Sequence, residues 1–328
     1  MELNFQFLTL AKFRNGQHVS LTAGSFSKLP AIFQGGEKMD LGNRVVPRRT
    51  FLRFATCVAG ASFTASLKAS DVDVSRAAAR VRQIIAHRGA SAERPECTAV
   101  ALNRAIEAGA TAVEVDVRTS ADGQLFILHD ETLDRTTNGK GLATRLTLDQ
   151  LQRLDAGSWF GATYRGERIP SLVEAAEICR GRIDLLLDLK EQGDEYDRRV
   201  VSTVLQHGDP AKTIVGVRSE HQAKRFRQLM PEARQLGLIP TLESMDSFAD
   251  AGVETIRLWP RWLQDGDAPV KRVHALKKLL LLNGTLGEET ETRQLLQFEP
   301  DSLSSDHPAR LKATLERIAL GKPLSLAR

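Results

Sequence analysis

The chain has 328 residues, 42% of them hydrophobic and 26% charged, enough to bury the core of one large domain or two small ones. Its net charge of +4 is small for this length, and the basic residues are not interleaved with aromatics, which argues against a nucleic-acid partner. The three cysteines, Cys57, Cys97 and Cys179, form no CxxC pair and have no histidine at zinc spacing, so neither a disulfide framework nor a zinc site is expected.

The first 80 residues differ from the rest. Residues 1–38 carry no clear period, and Met39 follows Gly35-Gly36-Glu37-Lys38. Codons for Gly-Gly-Glu can spell a purine-rich ribosome-binding site, so translation is expected to start at Met39, with 1–38 either untranslated or a disordered extension. Residues 39–80 read as a signal peptide and linker. Arg48-Arg49-Thr50-Phe51-Leu52-Arg53 is a charged start, "FATCVAGASFTAS" a short stretch of small and apolar residues, and Lys68-Ala69-Ser70 opens a polar run. The paired arginines with Phe51 and Leu52 resemble a bacterial twin-arginine signal. That resemblance implies the twin-arginine export machinery as a partner and a periplasmic or extracellular destination. The apolar stretch is too short, and too rich in Ala, Gly, Ser and Thr, to make a stable membrane span. Cys57 sits too early in it for lipid attachment.

From residue 81 to 328 the pattern is α/β. "VRQIIAH" is a buried strand, and "CTAVALNRAIEAGA" a helix with Ala99, Leu102 and Ile106 on one stripe and Gly109 as its stop. "AVEVDV" (112–117) is the next strand, parallel to the first because a helix joins them. Val113, Val115 and Val117 take one face, and Glu114 and Asp116 the other. The connection to "QLFILHD" is too short for a crossover helix and contains Asp122-Gly123, so it is a hairpin turn. This strand opens an excursion to about Pro170, and "RIPSLVEAAEIC" leads the helix back to the sheet. The βα rhythm then resumes. Strands are expected over 183–190, 213–217, 234–239, 255–259, 278–283 and 301–305. Helices are expected over 195–207, 220–229, 243–251, 268–276 and 288–297. With the strands at 83 and 112 the count is about eight. Equal βα units without a nucleotide-binding glycine signature read as a (β/α)8 TIM barrel, with a hairpin-containing insertion after the second strand. A doubly wound sheet is the alternative.

Barrel chemistry sits at the C-terminal ends of the strands. The first strand ends in His87-Arg88-Gly89, and the second carries Glu114 and Asp116. The third ends with Asp188 and Lys190 on one face, the seventh ends at Asn283, and the excursion brings His129. Charge at the same level on several strand ends is hard to obtain from wet faces, because a barrel interior is normally packed with branched apolar groups. Glu114, Asp116 and Asp188 suit one hard divalent cation held by oxygen, Mg²⁺ or Ca²⁺. Arg88 and Lys190 set fixed positive charge beside it, a combination that wants a phosphate. His87 and His129 can act as acid and base near neutral pH.

"IIAHRGASAERPECT", "GATAVEVDVRTSADGQLFILHDETLDRTTNGKG", "RIPSLVEAAEIC", "LLLDLK", "LNGTLG" and "SSDHPARL" resemble the glycerophosphodiester phosphodiesterase family, over about residues 82–315. The resemblance implies a TIM barrel that uses a divalent metal to hydrolyse deacylated phospholipids such as glycerophosphocholine to glycerol 3-phosphate and an alcohol. By matching position it implies His87 and His129 as the acid/base pair, Glu114 and Asp116 as metal ligands, and Arg88 and Lys190 as phosphate contacts. The chain departs from the family at three places. The third ligand is commonly Glu, two residues before the Lys; here it is Asp188, which also resembles the related sphingomyelinases D. The usual Glu-Asn-Thr reads Glu96-Cys97-Thr98, so a polar contact is lost, and Glu96 is expected to orient Arg88 or stand behind the metal ligands. The usual Trp-Thr-x-Asn strand reads Leu281-Leu282-Asn283, so an aromatic wall is missing and Asn283 stands near the site.

Two other functions compete. A phosphodiesterase like sphingomyelinase D or lysophospholipase D needs an apolar rim for acyl chains, which "GSWFGATY" (157–164) offers. A non-catalytic exported phosphate-ester-binding protein requires loss of a histidine or a ligand, and none is missing. Arg218 reads equally as a phosphate contact or a surface charge. Trp259 and Trp262 read as packing more than as pocket walls. His207, His221, His274 and His307 read as solvated, and His18 lies outside the fold.

Overall fold

The computed structural model describes residues 72–321. The expected start at Met39, the Arg48-Arg49 signal, Cys57 and His18 lie outside those residues.

The polar run before residue 81 is not all linker. Asp73 accepts hydrogen bonds from the backbone N–H groups of Ser75 and Arg76, which starts helix α1 (Val74–Arg80). Ala77 and Ala78 bury one side of it. Strand β1 (Gln83–Ala86) follows, then helix α2 (Ala99–Glu107). The buried stripe of α2 is Ala101, Leu102 and Ala105, with Ile106 packed at its edge. Ala99, the first residue of the helix, is only partly buried. Gly109 ends this segment at φ +72°, a left-handed conformation that glycine adopts without cost.

Strand β2 (Ala112–Thr119) turns through Ser120–Gln124 into β3 (Leu125–Ile127), which pairs with it antiparallel. Gly123 holds the turn at φ +76°. The excursion beyond β3 contains helix α3 (Leu148–Gln152) and has an apolar centre of its own, including Phe126, Leu133, Leu151 and Ile169. Helix α4 (Leu172–Cys179) starts at a Ser171/Glu174 capping box and returns the chain to the sheet.

The remaining elements alternate. They are β4 (Asp184–Leu189), α5 (Asp194–His207), β5 (Thr213–Val217), α6 (Glu220–Leu229), β6 (Arg234–Gly237) and α7 (Met245–Asp250). Then come β7 (Thr255–Leu258), α8 (Ala268–Ala275), β8 (Leu279–Thr285), α9 (Glu289–Leu296), β9 (Ser302–Ser305) and α10 (Pro308–Ala319). Helix α10 packs against α1 and so brings the two ends of the described chain together.

Eight strands, all except β3, pair in parallel as a ring in which β1 joins both β9 and β2. This is the (β/α)8 barrel. The β1–β2 seam is short, pairing Ile85 with Ala112 and Ala86 with Val113. The alternation along each strand separates two cores. Val113, Val115 and Val117 face outward to the helices. Ile85, Ala112, Leu186, Ile214, Leu236, Leu238 and Leu281 fill the inside. Glu114, Asp116 and Asp188 are inward positions, Asp116 level with Asp188 and Asp188 with Gly216. A wet strand face is thus excluded for Glu114 and Asp116, which are both buried. No helix among the described residues is long and apolar enough to cross a membrane.

Candidate active site

A cavity of about 350 Å³ opens where the strands end. His87, Arg88, Glu114, Asp116, His129, Asp188, Lys190 and Asn283 all line it, so residues from five separate stretches of sequence meet there.

The chain leaves β1 through two left-handed residues, Arg88 at φ +56° and Gly89 at φ +82°. A Cβ on Gly89 would sit 2.7 Å from the backbone carbon of Ala101, so this turn needs glycine. It aims the backbone N–H of Arg88 at Glu114 Oε2, 2.7 Å away. The Arg88 side chain donates to Glu96 Oε1 at 3.0 Å and lies 3.7 Å from Asp116 Oδ2. Glu96 is gripped from its other side by both Nη atoms of Arg135, each at 2.7 Å. Burial alone would raise the Glu96 pKa, but Arg135 and Arg88 hold it below the usual value. Glu96 thus stands behind Arg88.

Each histidine is anchored through Nδ1, which leaves Nε2 for a bound molecule. His87 Nδ1 is 2.6 Å from Asp306 Oδ1. Burial disfavours its charged form, yet Asp306 and Glu114 raise its pKa above 6.5. His129 Nδ1 is 2.7 Å from Asp130 Oδ1. There burial prevails over Asp116 and Asp130, and the pKa falls below 6.5. Arg135 donates to Asp130 as well, at 2.6 Å, and holds that carboxyl well below its usual range. Two imidazoles on one cavity are therefore poised in opposite directions.

Glu114, Asp116 and Asp188 each offer an oxygen, and these oxygens lie within 4.8 Å of one another. Burial and the neighbouring charge of Asp116 push Glu114 up to about 8. Such a crowded buried set, all hard oxygen donors, is what a divalent cation relieves; the three residues fit one. Lys190 Nζ reaches Asp116 at 2.6 Å and Asp188 at 3.1 Å. Burial alone would raise Asp188, but Lys190, Arg218 and Arg257 keep its pKa lowered. Cys97 is buried with Sγ 3.6 Å from Asp116 Oδ2, so the contact counted as lost at this position is replaced by a weak thiol donor.

Several assignments change. Arg218 is no surface charge: it lines the cavity and donates to Asp188 and to the carbonyl of Leu189. Trp259 also lines the cavity, whereas Trp262 packs against the core. His307 is not solvated; it lies half-buried with Nδ1 3.2 Å from Glu93 Oε1. His207 pairs with Glu177 at 2.9 Å, while His221 and His274 are exposed. Asp306, Asp130, Arg135 and Arg257 have no role in the sequence reading. The two aspartates had weak signals, each standing beside a strand end, in "LHD" and "SSD".

The sequence profile described as the glycerophosphoryl diester phosphodiesterase family matches residues 87–310. The chain is 34% identical over 161 residues to a glycerophosphodiester phosphodiesterase of Caldanaerobacter subterraneus subsp. tengcongensis, covering 48% of this chain and 65% of that one. A Bacillus subtilis relative is 39% identical over 150 residues, covering 45% of this chain and 62% of its own. The chain thus spans less than two thirds of the length of both relatives. Among solved structures, an Oleispira antarctica phosphodiesterase in complex with the product sn-glycerol-3-phosphate is similar. It has a TM-score of 0.63 and 28% identity, with 73% of this chain and 99% of that one covered.

Proposed function

Because the chain belongs to the glycerophosphoryl diester phosphodiesterase family, we propose that it hydrolyses glycerophosphodiesters to glycerol 3-phosphate and an alcohol. The observation that carries this reading is the oppositely poised pair His87 and His129 on a cavity that also holds Arg88, Lys190 and the acidic triad. Glu114, Asp116 and Asp188 would hold one Mg²⁺ or Ca²⁺. When bound, the ion neutralises charge on the phosphoryl group and makes a nearby hydroxyl more acidic.

The residues of the chain do the rest. Arg88 and Lys190 draw the phosphodiester into the cavity and offset its charge. His129, which starts neutral, takes the proton of a glycerol hydroxyl, whose oxygen attacks phosphorus. The bond from phosphorus to the alcohol oxygen breaks, and His87, the histidine whose pKa is raised, gives a proton to that oxygen. The resulting cyclic phosphate is opened by water, with the two histidines exchanging roles. Asp306 and Asp130 keep each ring in one orientation throughout.

The apolar rim that a sphingomyelinase-D-like substrate requires has no support from residues 157–164. None of them lines the cavity, and Trp159, Phe160 and Tyr164 stack edge-to-face on one another. The Arg48-Arg49 motif supports export of the precursor by the twin-arginine machinery. The test is turnover of glycerophosphocholine and lysophosphatidylcholine by purified protein, with and without chelator. Hydrolysis of the first, abolished by chelator, is expected; a protein inert toward every glycerophosphodiester overturns the reading.

A further inference from the structure

Strand β7 stands across the ring from β2, with three strands between them on either side. Arg257 on β7 therefore lines the cavity on the wall facing Glu114 and Asp116, with only 13% of its side chain exposed. The other cavity cations each bind a carboxylate at hydrogen-bond distance, although Arg88 Nε is buried without a partner as well. Lys190 is bound by Asp116 and Asp188, Arg218 by Asp188, and Arg88 by Glu96. Arg257 is held less closely: its Nη1 pairs with Asp188 Oδ2 only at 3.9 Å, beyond hydrogen-bond reach, and its buried Nε has no hydrogen-bond partner. A buried donor left unspent is costly, and more so on a charged group. The guanidinium is nonetheless held in place, with its carbon 4.4 Å from the centroid of the Trp259 ring. Arg261 engages the same ring at 5.1 Å.

A quaternary ammonium is recognised by open aromatic faces. Trp259 is the aromatic residue of the cavity lining, and guanidinium groups already occupy it. From the loosely paired guanidinium of Arg257 and the covered ring of Trp259 we infer that the β7 wall selects an alcohol carrying its own negative charge, a carboxylate or a phosphate, over choline. This rests on the phosphodiesterase reading above and names the substrate class of that same cavity.

The experiment compares kcat/KM across four probes: glycerophosphoinositol 4-phosphate, glycerophosphoglycerate, glycerophosphoglycerol and glycerophosphocholine. The first two carry phosphate and carboxylate, the third is neutral in its alcohol half, and the fourth is cationic. The native protein should prefer at least one anionic probe over the choline ester by about tenfold or more, the worth of a hydrogen bond to a charged group. The better of the two identifies the anion. R257M should lower the ratio of anionic to neutral kcat/KM by about tenfold, and R257K should restore part of it. A native preference for the choline ester, or an unchanged ratio in R257M, overturns the inference. A protein that hydrolyses no probe overturns the phosphodiesterase reading instead. The wall is then read by tryptophan fluorescence titration with inositol 4-phosphate, glycerate and choline, where choline binding as tightly as both anions overturns the inference.

Discussion

Nδ1 of His87 lies 2.6 Å from Oδ1 of Asp306, although 219 positions separate the two residues. The carboxylate keeps the His87 pKa above 6.5 against the pull of burial, while His129 lies below 6.5. With His129 as base and His87 as acid, kcat should rise as His129 loses its proton on the acid side. It should fall as His87 loses its own on the alkaline side, which gives a bell-shaped profile. D306N removes the charge that raises His87, so the alkaline limb should move to lower pH. A kcat–pH profile checks this, and an unmoved alkaline limb contradicts the assignment of His87 as the acid.

Loss of either imidazole should be severe. H87A and H129A should each reduce kcat by roughly 10²–10⁴-fold, the usual worth of a positioned proton donor or acceptor. The double variant should be little worse than either single one, because the two act as a unit. Near-normal turnover by H129A would leave that residue as no more than the end of the β2–β3 hairpin.

Chelation should abolish activity, and Mg²⁺ or Ca²⁺ should restore it. D116N should weaken cation binding, measured by titration calorimetry, without loss of the circular dichroism of the folded barrel. Full activity in a preparation shown to be metal-free would refute the role of Glu114, Asp116 and Asp188.

G89A should destabilise the barrel. The left-handed conformation costs an alanine about 1–2 kcal/mol, and its Cβ would also meet the Ala101 backbone at 2.7 Å. Melting should shift down by several degrees. Because the same turn aims the Arg88 N–H at Glu114, cation affinity should fall as well.

R48K/R49K should keep the precursor in the cytoplasm, since paired guanidiniums are what a twin-arginine receptor reads. Cell fractionation checks this, and processed, exported double variant would mean that the segment works by another route.

The ring of strands was legible because apolar runs and helical stripes alternate with short connections, and because Glu114, Asp116, Asp188 and Lys190 repeat a polar every-other pattern at strand ends. Arg257 was not. In Thr255-Ile256-Arg257-Leu258 the alternation is equally that of an outer face, and only ring closure turns it inward. Asp306 was hidden for a different reason, since no local spacing joins it to His87. Arg135 lies in the excursion, where no period orients a side chain, so its bond to Glu96 is a matter of tertiary packing alone. The stripe of α2 was legible at Leu102 and Ile106, while Ala99 in the first turn is only partly buried.

The seam between β1 and β2 joins the ring through two residue pairs, and His87 and Arg88 follow directly from it. On the other side of β1, β9 is the last strand of the ring, and Asp306 is the next residue after it. The first and last pieces of the barrel are thus two halves of one clasp. A nascent or nicked chain that has every residue through α9 still has His87 without its carboxylate, so the pairing of His87 with Asp306 during refolding times the closing of the ring itself.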